Sequence, residues 1–111
     1  MKTKQLGASG LRIPEIGTGT YLYRGTPELL RQGVDQGATL IDTAEYYQNE
    51  EIVVGQAIRG IRDRVVVATK ANHWRRQDIF SSAEASLRKL GIDTIDLYQI
   101  HWPNPAVPIE E

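Results

Sequence analysis

A carboxylate at Asp42, a phenol at Tyr47, an ammonium at Lys70 and an imidazole at His101 are the groups in this sequence best suited to moving a proton. The chain has no cysteine, which excludes a thiol nucleophile, a redox pair and a zinc ribbon, and it has no serine elbow. The phenol is then the informative group. Free tyrosine titrates near 10, so donation at neutral pH improves when a nearby cation stabilises the phenolate, each pH unit corresponding to about 1.4 kcal/mol. Lys70 can be that cation, Asp42 can hold the ammonium in place, and a neutral His101 can orient or polarise a substrate oxygen. An acid of this kind protonating a carbonyl oxygen needs an electron pair delivered to the carbon. No side chain supplies hydride, so the set implies a nicotinamide cofactor.

These groups form a site only if the fold gathers them, and strand-like and helix-like segments alternate along the chain. A short strand at residues 15–20, weakened by its glycines, leads to a helix start at Thr26-Pro27, where Thr26 is a natural cap and Pro27 suits the first helical position. Leu29, Leu30 and Val34 are expected to face inward, and Gly37 to close this helix. Residues 38–42 read as a second, buried strand, followed by a helix over about 50–59 with Ile52, Val53 and Ala57 inward and Gly60 as its stop. Residues 64–70 are the clearest strand, since Val65, Val66 and Val67 favour extended backbone. Asp78 is placed as the cap of a third helix with Ile79, Ala83, Leu87 and Leu90 inward and Gly91 at its end. A fourth strand over 94–100 runs into His101-Trp102-Pro103, and a small hairpin about Gly7-Ala8-Ser9-Gly10 precedes everything.

This order is α/β: a parallel sheet with crossover helices and no visible linker. In such folds ligands collect at the carboxyl ends of the strands. Those ends carry Thr20 and Tyr21, then Asp42, then Lys70, then His101, with Tyr47 close enough beyond Asp42 to lean over the same rim. Closure is missing. A closed (β/α)₈ barrel takes about 250 residues, whereas four parallel strands in an open sheet leave two edges unpaired. The tail over 104–111 reads as a loop and the first turn of another helix, which favours part of a larger barrel over a small open sheet.

Several classes are disfavoured. Thirteen basic and 14 acidic side chains give a net charge of −1, so the arginines at 59, 62, 64, 75 and 76 read as a solvated face and not as a nucleic-acid surface. No stretch approaches the roughly 20 apolar residues of a membrane helix, and the expected location is cytoplasmic. His73 and His101 lack metal-ligand spacing, and no metal is expected. Gly17-Thr18-Gly19 begins like a dinucleotide fingerprint, but Leu22 stands where its third glycine belongs. Plainer readings compete for the four groups as well. Asp42 with Glu45 resembles a capping box, Lys70 could be a solvated strand end, and His101 and Tyr47 could be packing residues.

The stretch Gly37-Ala38-Thr39-Leu40-Ile41-Asp42-Thr43-Ala44-Glu45-Tyr46-Tyr47, with Glu51-Ile52-Val53-Val54-Gly55 after it, resembles the signature of the aldo-keto reductases. Val67-Ala68-Thr69-Lys70, the segment 96–103 from Asp96 to Pro103, and Ile16-Gly17-Thr18-Gly19-Thr20-Tyr21 are similar to that family too, so the resemblance covers essentially all 111 residues. It implies NADPH-dependent interconversion of carbonyl compounds and alcohols on a (β/α)₈ barrel, with Tyr47 as acid/base, Lys70 and Asp42 tuning it, and His101 orienting substrate. Tyr46 is the rival phenol, and the family spacing selects Tyr47. Gly19, Thr20 and Asp42 match positions near the nicotinamide, while Tyr21, Trp74 and Trp102 match aromatic positions around the substrate. The departure is that only the first four strands and the hairpin are present. Loops after later strands hold most of the cofactor in the family, so the 111 residues alone are expected to be inactive, pairing with a missing C-terminal half. The alternative is a non-catalytic half-barrel module that self-associates edge to edge.

Overall fold

Thr26 caps the first helix as its place before Pro27 requires: its hydroxyl accepts from the Leu29 N–H at 3.3 Å, and the helix α1 runs over Pro27–Asp35. The computed structural model describes residues 1–111. A hairpin of β1 (Thr3–Gln5) and β2 (Arg12–Pro14) comes first, antiparallel, with Lys4 opposite Ile13. The rest alternates as expected: β3 (Thr18–Gly19), α1, β4 (Leu40–Asp42), α2 (Glu50–Ile58), β5 (Val66–Ala71), α3 (Arg76–Leu90) and β6 (Leu97–Ile100). The four strands β3-β4-β5-β6 pair in that order and all in parallel, and the helices cover one face. This is the first half of a parallel (β/α) barrel with its N-terminal hairpin. No helix is long and apolar enough to cross a membrane.

Side chains alternate between the two faces of a strand, and here the alternation divides packing from chemistry. Ile41, Val67 and Ala71 are fully buried, with Ile41 and Val67 in the cluster built by Leu30 and Val34 of α1, Val54, Ala57 and Ile58 of α2, and Leu90 of α3. Each of the larger side chains contributes roughly 1.5–3 kcal/mol on burial, so this face anchors the helices. The opposite face carries Asp42 and Lys70. Register brings them together, because Asp42 pairs with Ala68 and Lys70 is the next residue of β5 on Ala68's face.

Three packing expectations are corrected. Leu29 is exposed: Leu30 and Val34, one turn apart, own the inward stripe, and a residue adjacent to Leu30 points about 100° away. Ile52 is exposed for the same reason, since the buried line of α2 is Glu51, Val54, Ala57 and Ile58. Asp78 does not cap α3. The helix begins at Arg76 after Arg75, so Asp78 lies within the first turn, where its charge complements the helix dipole. The face of α3 against the sheet is small and polar at Ser82 and Ser86, with Ile79, Ala83 and Leu87 only half-buried. Gly91 ends α3 in the left-handed conformation, φ 66°.

Candidate active site

The ends of β4, β5 and β6 each deliver one group to a common rim. Asp42 is the last residue of β4, Lys70 lies near the end of β5, and His101 directly follows β6, its N–H donating to the Ala71 carbonyl at 2.9 Å. Lys70 Nζ donates to Asp42 Oδ2 at 2.7 Å and to the Thr43 carbonyl at 2.7 Å. Those two bonds fix the ammonium in the rim, with only 15 % of its side chain exposed. Tyr47 reaches back from the connection after β4, so that Nζ lies 5.9 Å from its ring centre and the His101 ring centre 5.7 Å from it. All four groups are thus neighbours.

Aromatic rings surround them. Tyr21 packs on Tyr47 at 5.3 Å between centres, Trp102 on His101 at 4.3 Å, and Tyr46 stands edge-on to both Trp102 at 5.3 Å and His101 at 6.1 Å. Trp74 joins this group by donating its indole N–H to the Trp102 carbonyl at 2.7 Å. A groove of about 530 Å³ opens beside Tyr47, between Tyr21, Tyr46 and Glu50. A larger one, about 700 Å³, lies among Arg59, Leu87 and Arg88 at the far ends of α2 and α3, and none of the four groups lines it. Gly19 is open: no atom comes within 4 Å of the position a Cβ would take there. Thr20 is buried instead, and its hydroxyl donates to the Asp42 carbonyl at 3.1 Å, tying the ends of β3 and β4 together.

The electrostatics differ from the simple expectation that Lys70 draws the Tyr47 pKa down. Burial pushes the Tyr47 phenol above its ordinary value of 10.0, and the Asp42 carboxylate pushes the same way, followed by Tyr21 and Glu50. Lys70 presents its charge already paired with Asp42, so the phenol meets a dipole and not a lone cation. His101 moves in the other direction. Burial and then the Lys70 ammonium lower it below its ordinary 6.5, partly opposed by Asp42, so the imidazole is neutral at pH 7.

The capping-box reading of Asp42 and Glu45 does not hold. Asp42 is bonded to Lys70, and Glu45 accepts from the Asn72 N–H and the Ser82 hydroxyl. Sequence reasoning missed the Thr43 carbonyl and Ser82. The main-chain acceptor leaves no mark in residue type, and a serine on a helix face reads as solvent-exposed.

The chain matches the model of the aldo/keto reductase family over residues 7–111. The chain belongs to this family. Aldo-keto reductase YhdN of Bacillus subtilis is 43 % identical over 136 aligned positions, which take in 100 % of this chain and 41 % of YhdN. Among solved structures, the thermostable aldo-keto reductase Tm1743, crystallised with the inhibitor epalrestat, superposes with a TM-score of 0.92 at 40 % identity, covering 100 % of this chain and 46 % of that one. An aldo/keto reductase from Klebsiella pneumoniae in complex with NADP and acetate gives 0.80 at 42 % identity, over 86 % of this chain and 38 % of that one. The chain therefore spans less than half the length of these aldo-keto reductases.

Proposed function

We propose that this chain forms the acid/base half of an NADPH-dependent reductase that converts aldehydes or ketones to alcohols, active when the remaining half of the barrel is present. The observation carrying this reading is the rim itself: the Tyr47 ring lies 5.9 Å from the Lys70 ammonium and 5.7 Å from the His101 ring. The open surface at Gly19, beside Asp42 in register, suits the flat face of a nicotinamide, with Thr20 holding the Asp42 main chain behind it. A bound nicotinamide supplies the hydride that the carbonyl carbon receives.

The chain's own residues handle the proton. The raised pKa of Tyr47 keeps Oη protonated in the resting site, ready to pass its proton to the carbonyl oxygen as charge develops there. The phenolate left behind has the Lys70 ammonium 5.9 Å from its ring centre, and Asp42 and the Thr43 carbonyl prevent that ammonium from wandering. Neutral His101 offers an N–H to the same substrate oxygen without competing as an acid. Tyr21, Trp74 and Trp102 supply apolar walls that orient the carbonyl and exclude water. A cytoplasmic location agrees with a cysteine-free chain that depends on a reduced nucleotide.

The test is Tyr47→Phe in a protein carrying the closed barrel. NADPH oxidation with an aldehyde should fall by about 10²–10⁴, while NADPH affinity stays unchanged, because the hydroxyl acts on the transition state. Equal activity in the variant would assign the acid to another residue.

A further inference from the structure

Between Asp42 and Tyr47 the chain carries a carboxylate that has no part in the proton transfer. Glu45 Oε2 accepts from the Asn72 N–H at 3.1 Å and from the Ser82 hydroxyl, and Oε1 lies 3.5 Å from His73 Nε2. Ser82, buried on α3, also accepts from the Tyr98 hydroxyl at 3.1 Å. The Glu45 N–H itself donates to the Lys70 carbonyl at 3.1 Å. One residue therefore touches the end of β5 just past Lys70, the sheet-facing side of α3 and, through Ser82 and Tyr98, the strand β6 that His101 follows.

We propose that Glu45 is a positioning residue of the reductase site, clamping the connection after β4 to α3 and β5 so that the Tyr46 and Tyr47 rings stay against His101. The inference rests on the proposed function for what the site does, but its geometry stands apart. Hydrogen bonds to an ionised acceptor are roughly twice as strong as neutral ones. Burial raises the Glu45 carboxyl, but Ser82, the Asn72 N–H, His73 and Lys89 together hold it below the ordinary carboxylate value, so these bonds are charge-assisted at neutral pH. The clamped segment leads directly into Tyr46 and Tyr47, whose rings cover His101 at 6.1 and 5.7 Å. Releasing the clamp frees both rings together.

The experiment is an NMR comparison of the 111-residue chain with Glu45→Gln and Ser82→Ala, following ring-to-ring Overhauser contacts between Tyr47 and His101 and the His101 titration. Glutamine keeps the size but not the charge, and Ser82→Ala removes only one donor, so it decides the matter if Glu45→Gln fails to fold. The expected result is loss or weakening of the Tyr47–His101 contacts and a rise of the His101 pKa towards 6.5. The sign is diagnostic. Removing a carboxylate by charge alone would lower an imidazole pKa, whereas uncovering the ring raises it. Intact ring contacts with a His101 titration unmoved or lowered in folded variants would overturn the proposal. Neither readout involves reduction, so absence of reductase activity in a protein carrying the closed barrel would sink the proposed function and leave this result standing.

Discussion

Lys70 Nζ stands 2.7 Å from Asp42 Oδ2 and 5.9 Å from the centre of the Tyr47 ring, so the phenol meets the cation and its counter-charge together. A lone ammonium at that range would lower the phenol's pKa. Paired with the carboxylate, it leaves burial and Asp42 in control, and the resting Tyr47 holds its proton more firmly than free tyrosine. The arrangement suits an acid that releases its proton only when substrate charge develops in front of it.

Asp42→Asn separates these contributions. Asp42 raises both Tyr47 and His101, so its neutralisation should lower both, leaving Lys70 to act on each unopposed. Site-resolved carbon NMR of the tyrosine and histidine rings reads both titrations in one sample. A Tyr47 pKa that does not move would show that Asp42 is electrostatically remote from the phenol, and one that rises would show that Asp42 acts on it chiefly by holding Lys70.

Acid should destabilise the fold in two steps. His101 titrates below 6.5 when folded, so the unfolded chain takes up its proton first; the contribution is complete above 6.5 and is lost as pH falls through the folded value. Glu45 titrates below 4.5 when folded, and its contribution disappears only as pH falls from 4.5 through that lower value. Urea unfolding across pH 7.5 to 3 should show His101→Gln lacking the first loss and Glu45→Gln lacking the second. A His101→Gln profile parallel to the parent as pH falls below 6.5 would refute the assignment.

The 111 residues by themselves should neither bind NADPH tightly nor reduce an aldehyde panel. They span only 41 % of YhdN and 46 % of Tm1743, and β3 and β6 are left as the two edges of the sheet. Steady turnover by a verified monomer would contradict this. Size exclusion with light scattering tests the edges directly: a discrete dimer would favour self-association through them, and a monomer or irregular aggregate would not.

The order of elements, the parallel sheet and the rim were legible because strand ends, caps and stops are local. Thr26-Pro27, the valines at 66 and 67 and Gly91 mark their elements through backbone preferences that need no partner, whereas Val65 falls at the close of a turn over Arg62–Arg64 just before its strand. The four rim groups could be placed because parallel strands deliver their carboxyl ends to one side. What escaped depended on contacts distant in sequence. Leu29 and Leu30 have the same composition signal, and only packing decides which turns inward. The sign of the Tyr47 shift depended on burial and on the nearby Asp42 carboxylate, and Glu45 resembles a cap in sequence alone, whereas tertiary structure places Asn72 and Ser82 against it.

Two glycines should respond in opposite ways to the same added methyl. At Gly55 a Cβ would stand 2.6 Å from the Leu90 carbonyl oxygen and 2.9 Å from that of Lys89, both main-chain atoms at the end of α3, so α2 and α3 must separate. Overpacking of this kind costs about 1–3 kcal/mol, and Gly55→Ala should lose that much in urea unfolding. The site groups lie on other elements, so the Tyr47 and His101 titrations should keep their directions wherever the variant is folded. Gly19→Ala meets no atom within 4 Å and should unfold like the parent, since nothing in the chain opposes the methyl. Its effect should appear only in a protein carrying the closed barrel, as weaker NADPH binding with unchanged stability. Unchanged affinity there would remove Gly19 from the proposed nicotinamide surface, and a large stability loss would mean that its open face is packed.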